Sequence, residues 1–343
     1  MIGKTAAAAA LMGLALLASG NPARADGSGS PTLDAVRARG QLVCGVTGDV
    51  AGFALPDSKG VMQGIDADGC RAIAAAVLGD ANKVKYTPVT TQNRFTALQS
   101  GEIDVLIAET TWTLGREASL GIEFTGINFY DGTGFLVKKA AGVTAAKQLD
   151  GATICVQPGT STELAIADYF RANKMKFTPI EIQDLQQIRG AFLSGRCDVY
   201  STDSSALAAF RSTQGDKASD LVLLPELISK EPLGPSVRKG DDKWFDIVRW
   251  VGFAMLTAEE DGVTSANVDQ MLTSTTPDVR RLLGLDSDLG KALGIDNKFA
   301  YNVIKQVGNS EEVWNRDIAP MGVPRGINRL WTKGGLMYAP PMR

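Results

Sequence analysis

The feature that most constrains this chain is a weak internal repeat. Residues 97–105 (ALQSGEIDV) and residues 191–199 (AFLSGRCDV) match without gaps at an offset of 94 residues. Each copy holds a helix end, a Ser-Gly stop and a strand that begins with Asp-Val. The same offset aligns Glu109 with Asp203. Glycine after a helix end favours the left-handed backbone that terminates helices. Two copies of one helix–turn–strand unit predict two similar lobes rather than one continuous sheet.

Strand and helix patterns alternate around the first copy. Such alternation is typical of β-α-β units, which build parallel sheets with helices on their faces. The sequence therefore predicts an α/β fold with a parallel sheet in each lobe. The predicted helices are residues 32–39, 66–78 and 92–99, and the predicted strands are residues 41–46, 83–88 and 103–108.

The chain is predicted to cross between the lobes twice. Residues 130–138 form one extended crossing segment, and residues 229–241, which are rich in proline and glycine, form the return. We assign residues 26–131 and 236–343 to lobe 1 and residues 132–235, including the hinge crossings, to lobe 2. Two crossings make a hinge, about which two lobes can close on a ligand.

The part of the chain after residue 243 is predicted to be a helical extension. Apolar residues recur there at spacings of three and four, which indicates amphipathic helices. We expect this extension to pack on lobe 1. Its predicted helices are residues 244–256, 267–272, 278–283 and 299–307.

Composition excludes several classes of function. The chain has 343 residues, 44% apolar and 21% charged, as in ordinary globular proteins. A formal net charge of −3 argues against a nucleic-acid partner. The sequence contains no histidine, which removes Ser-His-Asp and Cys-His catalysis and histidine-ligated metals. We therefore expect no metal, no cofactor and no nucleic acid.

The first 25 residues read as a cleavable export signal. Lys4 provides a basic start, residues 6–18 form an apolar run, and Ala23-Arg24-Ala25 is an A-x-A cleavage site. A membrane anchor would need about 18 or more apolar residues, and this run is shorter. The sequence thus predicts an exported protein whose mature form is soluble.

Four cysteines are present, and none forms a C-x-x-C pair, so zinc and thioredoxin-type chemistry are poorly supported. An even number of cysteines in an exported protein indicates disulfides, although buried free thiols are the alternative. Three connectivities are possible. The pairing that stays within each half of the chain joins Cys44 to Cys70 and Cys155 to Cys197.

In open α/β sheets, ligands bind beyond the carboxyl ends of the strands, and three segments are expected there. The first follows residues 103–108. Thr113 can cap the next helix, which places Arg116 in its first turn, where a cation opposes the helix dipole. A bound carboxylate beside Arg116 would explain that placement. The alternative is a surface ion pair with Glu117 or Glu123.

The second and third segments come from the other half of the chain. Thr160 and Glu163 fit a capping box, and the free N–H groups of that helix start form an anion site, although an ordinary capped helix explains the pattern too. Asp203 is either a helix cap or a carboxylate that pairs with a ligand ammonium. Arginine and helix N–H groups for an anion, with an aspartate for a cation, describe an α-amino acid.

The walls of the pocket are predicted from two loops. Thr47, Asp49 and Phe53 follow the first strand, and Trp112 precedes the Arg116 helix. An aromatic side chain at such a place packs in a core more often than against a ligand, and a core position is the alternative for both aromatic residues.

The sequence resembles the periplasmic substrate-binding proteins of polar amino-acid ABC transporters (solute-binding protein family 3), and more narrowly the general L-amino-acid-binding proteins. The resemblance spans nearly the whole mature chain. The matching stretches are CGVTGDVAGF (44–53), GIDADGCRAIAAAVLGD (64–80), RFTALQSGEIDVL (94–106), TTWTLGRE (110–117), YDGTGFLVKK (130–139), QPGTSTE (157–163), GRCDVYSTD (195–203), LPELISKEPLGPSVRKGDDKWFDIVRW (224–250) and GGLMYAPPMR (334–343).

The resemblance implies a two-lobed, type II periplasmic-binding-protein fold with a two-segment hinge. It implies that Arg116 and Thr111 hold a ligand carboxylate, that Ser161 and Thr162, beside Thr160, assist from the second lobe, and that Asp203 takes the α-amine. An inner-membrane ABC permease is the implied partner, and a monomer is expected.

Two residues depart from the family pattern. Glu109 stands where an amide is expected, and Asp49 stands where a neutral side chain is expected. We hypothesise that these acids shift preference toward basic ligands. Two other functions remain open, a cyclohexadienyl dehydratase-like lyase with Glu109 as general acid and a ligand sensor that presents its closed form to a membrane receptor.

Overall fold

Helices and strands alternate through the computed structural model, which describes residues 28–343, so the predicted signal peptide at residues 1–25 lies outside the described residues. The strands are β1 (Leu42–Val46), β2 (Leu55–Pro56), β3 (Met62–Gln63), β4 (Val84–Pro88), β5 (Val105–Leu106), β6 (Ile122–Phe124), β7 (Phe129–Asp131), β8 (Thr133–Lys138), β9 (Ala152–Val156), β10 (Phe177–Glu181), β11 (Val199–Asp203), β12 (Leu221–Leu223), β13 (Glu231–Leu233) and β14 (Ser236–Arg238). The helices are α1 (Pro31–Arg39), α2 (Ile65–Leu78), α3 (Arg94–Ser100), α4 (Leu114–Ser119), α5 (Ser161–Ala172), α6 (Leu185–Ser194), α7 (Ser204–Ser212), α8 (Asp242–Glu260), α9 (Val268–Met271), α10 (Pro277–Leu282), α11 (Leu289–Ala292), α12 (Phe299–Gln306) and α13 (Ser310–Asp317).

Helix ends follow the local signals in the sequence. The two glycines of the repeat, Gly101 and Gly195, have φ of 80° and 84° and terminate α3 and α6. A side chain at a left-handed position is strained, so glycine ends the helix at both sites. The predicted repeat is therefore a repeat of structure as well as of sequence.

Each lobe contains a five-stranded sheet, with the order β4-β1-β5-β14-β6 in one and β10-β9-β11-β8-β12 in the other. Four strands of each sheet share one direction, and the fourth strand in the order, β14 or β8, runs opposite. The prediction of parallel sheets therefore missed one strand in each lobe. Both reversed strands come directly from the hinge without a crossover helix, and a parallel strand would need such a crossover.

The predicted hinge consists of two antiparallel strands. β7 pairs with β13, and Asp131 lies opposite Glu231. Residues 130–138 were predicted as one extended segment, but they belong to two strands, β7 and β8, which are separated at Gly132. A Cβ atom at Gly132 would lie 2.9 Å from Leu227 Cβ and from Ser229 O. The domain boundaries given above remain a prediction.

Each lobe carries one disulfide, and the predicted pairing is confirmed. Cys44 in β1 is joined to Cys70 in α2, with the Cα atoms 6.1 Å apart. Cys155 in β9 is joined to Cys197, which precedes β11, with the Cα atoms 5.7 Å apart. Both separations lie within the normal range for a disulfide. The second strand in the order of each sheet, β1 or β9, is thus covalently tied to a neighbouring element of its own lobe.

The helical extension packs on lobe 1, as predicted. Trp244 of α8 and Phe299 of α12 share the hydrophobic core that includes α2. No helix within residues 28–343 is long and apolar enough to cross a bilayer.

The last part of the extension also contacts the hinge and lobe 2, which the sequence did not predict. The Trp314 ring stacks on Phe129 of β7 with centroids 5.3 Å apart. The Asn328 side chain accepts a hydrogen bond from Tyr130 N (2.7 Å) and donates one to Tyr130 O (3.0 Å). Ile318 lies in a core that contains α7 side chains of lobe 2. The extension therefore contacts both lobes and the strand between them.

Candidate functional site

A cleft of about 760 Å³ lies between the two lobes. Thr47, which follows β1, and Glu109, which follows β5, line it from lobe 1, and the end of β11 lines it from lobe 2. The carboxyl ends of the strands therefore meet at this cleft, where open α/β sheets bind ligands. Of the predicted site residues, the cleft brings together Thr47, Asp49, Glu109, Thr111, Thr160, Ser161, Thr162 and Asp203.

The lobes contact each other across the cleft. The Thr111 and Ser161 hydroxyl oxygens lie 3.1 Å apart, and Thr91 Oγ1 donates to the carbonyl oxygen of Pro158 at 3.1 Å. Arg189 of lobe 2 donates from Nη1 to the carbonyl oxygen of Asp49 at 3.1 Å. These hydrogen bonds join residues of opposite lobes, so they describe a closed arrangement.

Asp203 presents a buried carboxylate to this cleft. Asp203 is only 8% exposed, and it is the last residue of β11, directly before α7. Asp203 occupies the cap position of α7, but its side chain accepts no capping hydrogen bond. Burial raises the pKa of Asp203 well above its usual value, and the neighbouring Asp131 and Glu231 raise it further. Capping therefore does not account for Asp203, and its carboxylate is available for a cationic group.

The start of α5 faces the same cleft. Thr160 accepts a hydrogen bond from Glu163 N at 3.1 Å, as predicted, but the Glu163 carboxylate accepts from Gly159 N at 2.8 Å instead of completing a capping box. The first N–H groups of a helix have no partner within the helix. Those of Ser161 and Thr162 therefore provide donors for an anion at the edge of lobe 2.

Arg116 lies beside the cleft rather than in its lining. Thr113 caps α4 by accepting from Arg116 N at 3.2 Å, as predicted. Nη1 of Arg116 donates to the carbonyl oxygen of Thr111 at 2.7 Å, and the guanidinium lies over the Phe95 ring. In the described part of the chain Arg116 forms no ion pair with Glu117, which instead accepts a hydrogen bond from Trp112.

Arg116 and Asp203 still belong to one electrostatic environment. Burial lowers the pKa of Arg116, whereas the charges of Glu231 and Asp203 raise it. Glu231, in the hinge, accepts a hydrogen bond from the Thr111 hydroxyl at 2.6 Å. The charges of the arginine and the aspartate therefore act on each other, and Glu231 fixes the orientation of the Thr111 hydroxyl.

Arg94 also lines the cleft, and the sequence analysis did not predict it. It is 5% exposed, lines the cleft at the start of α3, and its Nε has no hydrogen-bond partner among the described residues. Burial lowers its pKa, Arg116 lowers it further, and Asp203 and Glu109 raise it. A cation in the first turn of a helix opposes the helix dipole. The argument that selected Arg116 would have selected Arg94 as well.

Glu109 lines the cleft in a left-handed backbone conformation, with φ of 44°. Its backbone N–H donates to Asp66 Oδ2 at 3.1 Å. Thr47 Oγ1 is buried and has no partner within the described residues. The loop after β1 and the loop after β5 therefore place polar groups in the cleft that have no hydrogen-bond partner within the described residues.

The two aromatic walls were predicted incorrectly. Phe53 is 1% exposed and packs edge-to-face on Phe129 in a hydrophobic core. Trp112 stacks on Phe124 with centroids 5.7 Å apart, and its Nε1 donates to Glu117 at 2.7 Å. Neither ring belongs to the lining of the cleft. Large aromatic rings bury more apolar area than a polar cleft offers, so both lie in cores.

Two α/β lobes that close on a polar cleft define a two-domain solute-binding protein. Residues 42–272 match the bacterial extracellular solute-binding proteins, family 3, and the chain belongs to this family.

Relatives of known name share nearly the whole chain. The glutamate/glutamine/aspartate/asparagine-binding protein BztA of Rhodobacter capsulatus is 53% identical, over 93% of this chain and 95% of that protein. The general L-amino acid-binding periplasmic protein AapJ of Rhizobium johnstonii is 50% identical, over 97% of this chain and 98% of that protein. A solved ABC transporter/periplasmic binding protein from Brucella ovis with glutathione bound has a TM-score of 0.89 and 50% identity, and the match covers 91% of this chain and 99% of that chain.

Proposed function

We propose that this protein is the binding receptor of an ABC importer for L-amino acids. The observation that carries the proposal is the buried carboxylate of Asp203, which caps no helix and shares one cleft with the N–H groups of α5 in its own lobe and with Arg94 of lobe 1. This arrangement offers one group for an ammonium and several donors for a carboxylate. The relatives named above are amino-acid-binding proteins or belong to ABC transporters, which supports the same conclusion.

In this proposal the ligand binds through its two charged ends. Asp203 takes the α-ammonium, while Arg94 and the α5 N–H groups take the α-carboxylate. The Thr111 hydroxyl donates its proton to Glu231 and therefore supports the site without donating to the ligand. Arg116 orients Thr111 through its hydrogen bond to the Thr111 carbonyl oxygen and contributes positive charge. Each hydrogen bond to a charged group contributes about 1.5–3 kcal/mol, and closure strengthens it by excluding water.

Closure provides the signal for transport. The closed lobes present one surface that an inner-membrane permease complex can recognise, and opening releases the ligand. We infer that the protein acts as a monomer in the periplasm after removal of residues 1–25. No bond in the ligand needs to change for this function, so we assign no catalytic residue.

A thermal-shift screen of the twenty amino acids tests the proposal. A true ligand at about 100 times its dissociation constant adds roughly 2.7 kcal/mol of stability by mass action. We expect several L-amino acids to raise the unfolding temperature and their D-enantiomers to have a much smaller effect. If none of the twenty shifts the transition, and titration calorimetry finds no heat of binding, the proposal is wrong.

A lyase on the same scaffold is the second candidate, because burial and nearby carboxylates raise the pKa of Glu109, as general-acid catalysis requires. The names of the relatives describe binding instead. We expect prephenate and arogenate to remain unchanged after prolonged incubation with the purified protein. Product formation that is lost in Glu109→Gln would establish the lyase.

A further inference from the structure

We propose that the cleft prefers amino acids with a positively charged side chain, and that Glu109 is the residue that determines this preference. This inference rests on the proposed function and specifies its ligand class. The α-ammonium is assigned to Asp203, so the cation that Glu109 binds belongs to the ligand side chain.

The two carboxylates occupy equivalent places in the two lobes. Glu109 follows β5 and Asp203 ends β11, and both strands hold the third place in the order of their sheets. The structure thus brings the matched acids of the repeat to one cleft from opposite sides. Asp66 holds the left-handed turn at Glu109 by accepting its backbone N–H. The position of Glu109 is therefore built into the fold.

Neither carboxylate has a partner in the protein. Among the described residues, no hydrogen bond or ion pair engages the side-chain oxygens of Glu109 or Asp203, and Arg94 instead directs Nη1 toward the carbonyl oxygen of Ala108. Asp203 is buried and Glu109 is partly exposed, and a carboxylate that loses hydration without gaining a partner is unfavourable. An amino acid with a neutral side chain brings one cation, which satisfies only one of the two carboxylates. A basic amino acid brings two.

The charge of the whole lining favours the same ligands. Five acidic and three basic side chains line the cleft, so it attracts cationic amino acids and repels anionic ones. The acids are Asp49, Glu109, Glu181, Asp184 and Asp203, and the bases are Arg94, Arg189 and Arg196.

The surroundings of Glu109 make the preference depend on pH. Burial raises the pKa of Glu109, and four other carboxylates raise it further, so acid protonates the group before it can pair with a cation. Binding of a cationic side chain must therefore weaken as pH falls. The charged groups around Glu109 are Asp66 on α2, Asp203 on β11, Asp131 on β7, Asp49 after β1 and Arg94 on α3.

Titration calorimetry with arginine and citrulline tests the inference, because citrulline has nearly the same shape without the charge. We expect the wild-type protein to bind arginine at least about tenfold more tightly than citrulline, and this ratio to fall toward one in Glu109→Gln. Asp203→Asn is the matched control, since it should weaken both ligands and leave their ratio largely unchanged. Lysine and glutamate extend the comparison, and lysine should be preferred.

A second measurement does not depend on any variant folding. In the wild-type protein, lowering the pH from 7.5 to 5 should reduce the arginine-to-citrulline ratio several-fold. Equal affinities for arginine and citrulline, or a ratio unchanged in a folded Glu109→Gln protein, would overturn this inference while leaving the transport function intact. Failure of every amino acid to bind would instead overturn the proposed function, and the inference with it.

Discussion

The two lobes share one frame but supply different chemistry. Both sheets have corresponding strand orders with one reversed strand, and in both a disulfide ties the second strand of that order. In lobe 2, α7 starts directly after Asp203, whereas in lobe 1 the chain continues from Glu109 through four residues before α4 begins. That insertion carries Thr111 and positions Arg116. The comparison shows that the repeat places one acid of each lobe in the cleft. The insertion in lobe 1 determines which other polar residues lie beside that acid.

The disulfides provide the largest expected effect and compare the lobes directly. In the chain-entropy description, closing a loop of 26 residues contributes about 3.5 kcal/mol of stability and closing one of 42 residues about 3.9 kcal/mol. We expect Cys155→Ala/Cys197→Ala to destabilise slightly more than Cys44→Ala/Cys70→Ala. Urea unfolding of both double variants measures the difference. A much larger loss in lobe 1 would show that native-state packing, not loop closure, dominates.

Stability should also depend on pH through buried carboxylates near the cleft. Burial raises the pKa of Asp66 in lobe 1 and of Asp131 in the hinge to about 6. A group with a raised pKa contributes its stability at acid pH and loses it as the pH rises through the folded-state value. Without ligand, the unfolding free energy should therefore fall as the pH rises from about 4 to about 6, by up to about 3 kcal/mol for each group.

Asp66→Asn and Asp131→Asn should each flatten this pH profile, because an amide does not titrate. Unfolding curves at several pH values measure the effect. A wild-type protein that becomes steadily more stable from about pH 4 to about pH 6, with no change in the two variants, would contradict the explanation.

The two ends of the ligand should respond unequally to mutation. Asp203 is the single carboxylate assigned to the ammonium, whereas the carboxylate end has donors from Arg94 and from α5. We expect Asp203→Asn to weaken amino-acid binding about 100-fold and Arg94→Gln about tenfold, since one donor among several is lost. Calorimetric dissociation constants test the order. A larger loss in Arg94→Gln would mean that one guanidinium dominates the anion end.

The smallest expected effect on stability concerns the helical extension. The extension packs on lobe 1, and its Asn328 side chain joins it to Tyr130 of the hinge. Asn328→Ala leaves Tyr130 N and O without their partner and should lower the unfolding free energy by about 1–2 kcal/mol. Asn328→Asp keeps the acceptor for Tyr130 N but places a carboxylate oxygen against Tyr130 O in a buried position, so it should lose at least as much. Urea unfolding compares the two variants. A clearly smaller loss in Asn328→Asp would show that the Tyr130 N–H contact dominates.

Local signals in the sequence predicted much of the fold and part of the site. Gly101 and Gly195 ended their helices, Thr160 capped α5, and the cysteines paired within their lobes. The prediction failed where long-range packing decides. The reversed strands β8 and β14, the core position of Phe53 and the burial of Arg94 depend on segments far apart in the chain.

The sequence by itself determined two similar α/β lobes and their hinge, because turns, caps and strand patterns act over a few residues. It also placed one acid after β5 (Glu109) and one at the end of β11 (Asp203). Only the tertiary structure decided that Glu109 lies among Asp66, Asp131 and Asp203 and that no basic side chain of the described protein pairs with it. Desolvation and proximity of charge arise when distant segments pack together. The electrostatic character of the cleft is therefore a property of the closed fold.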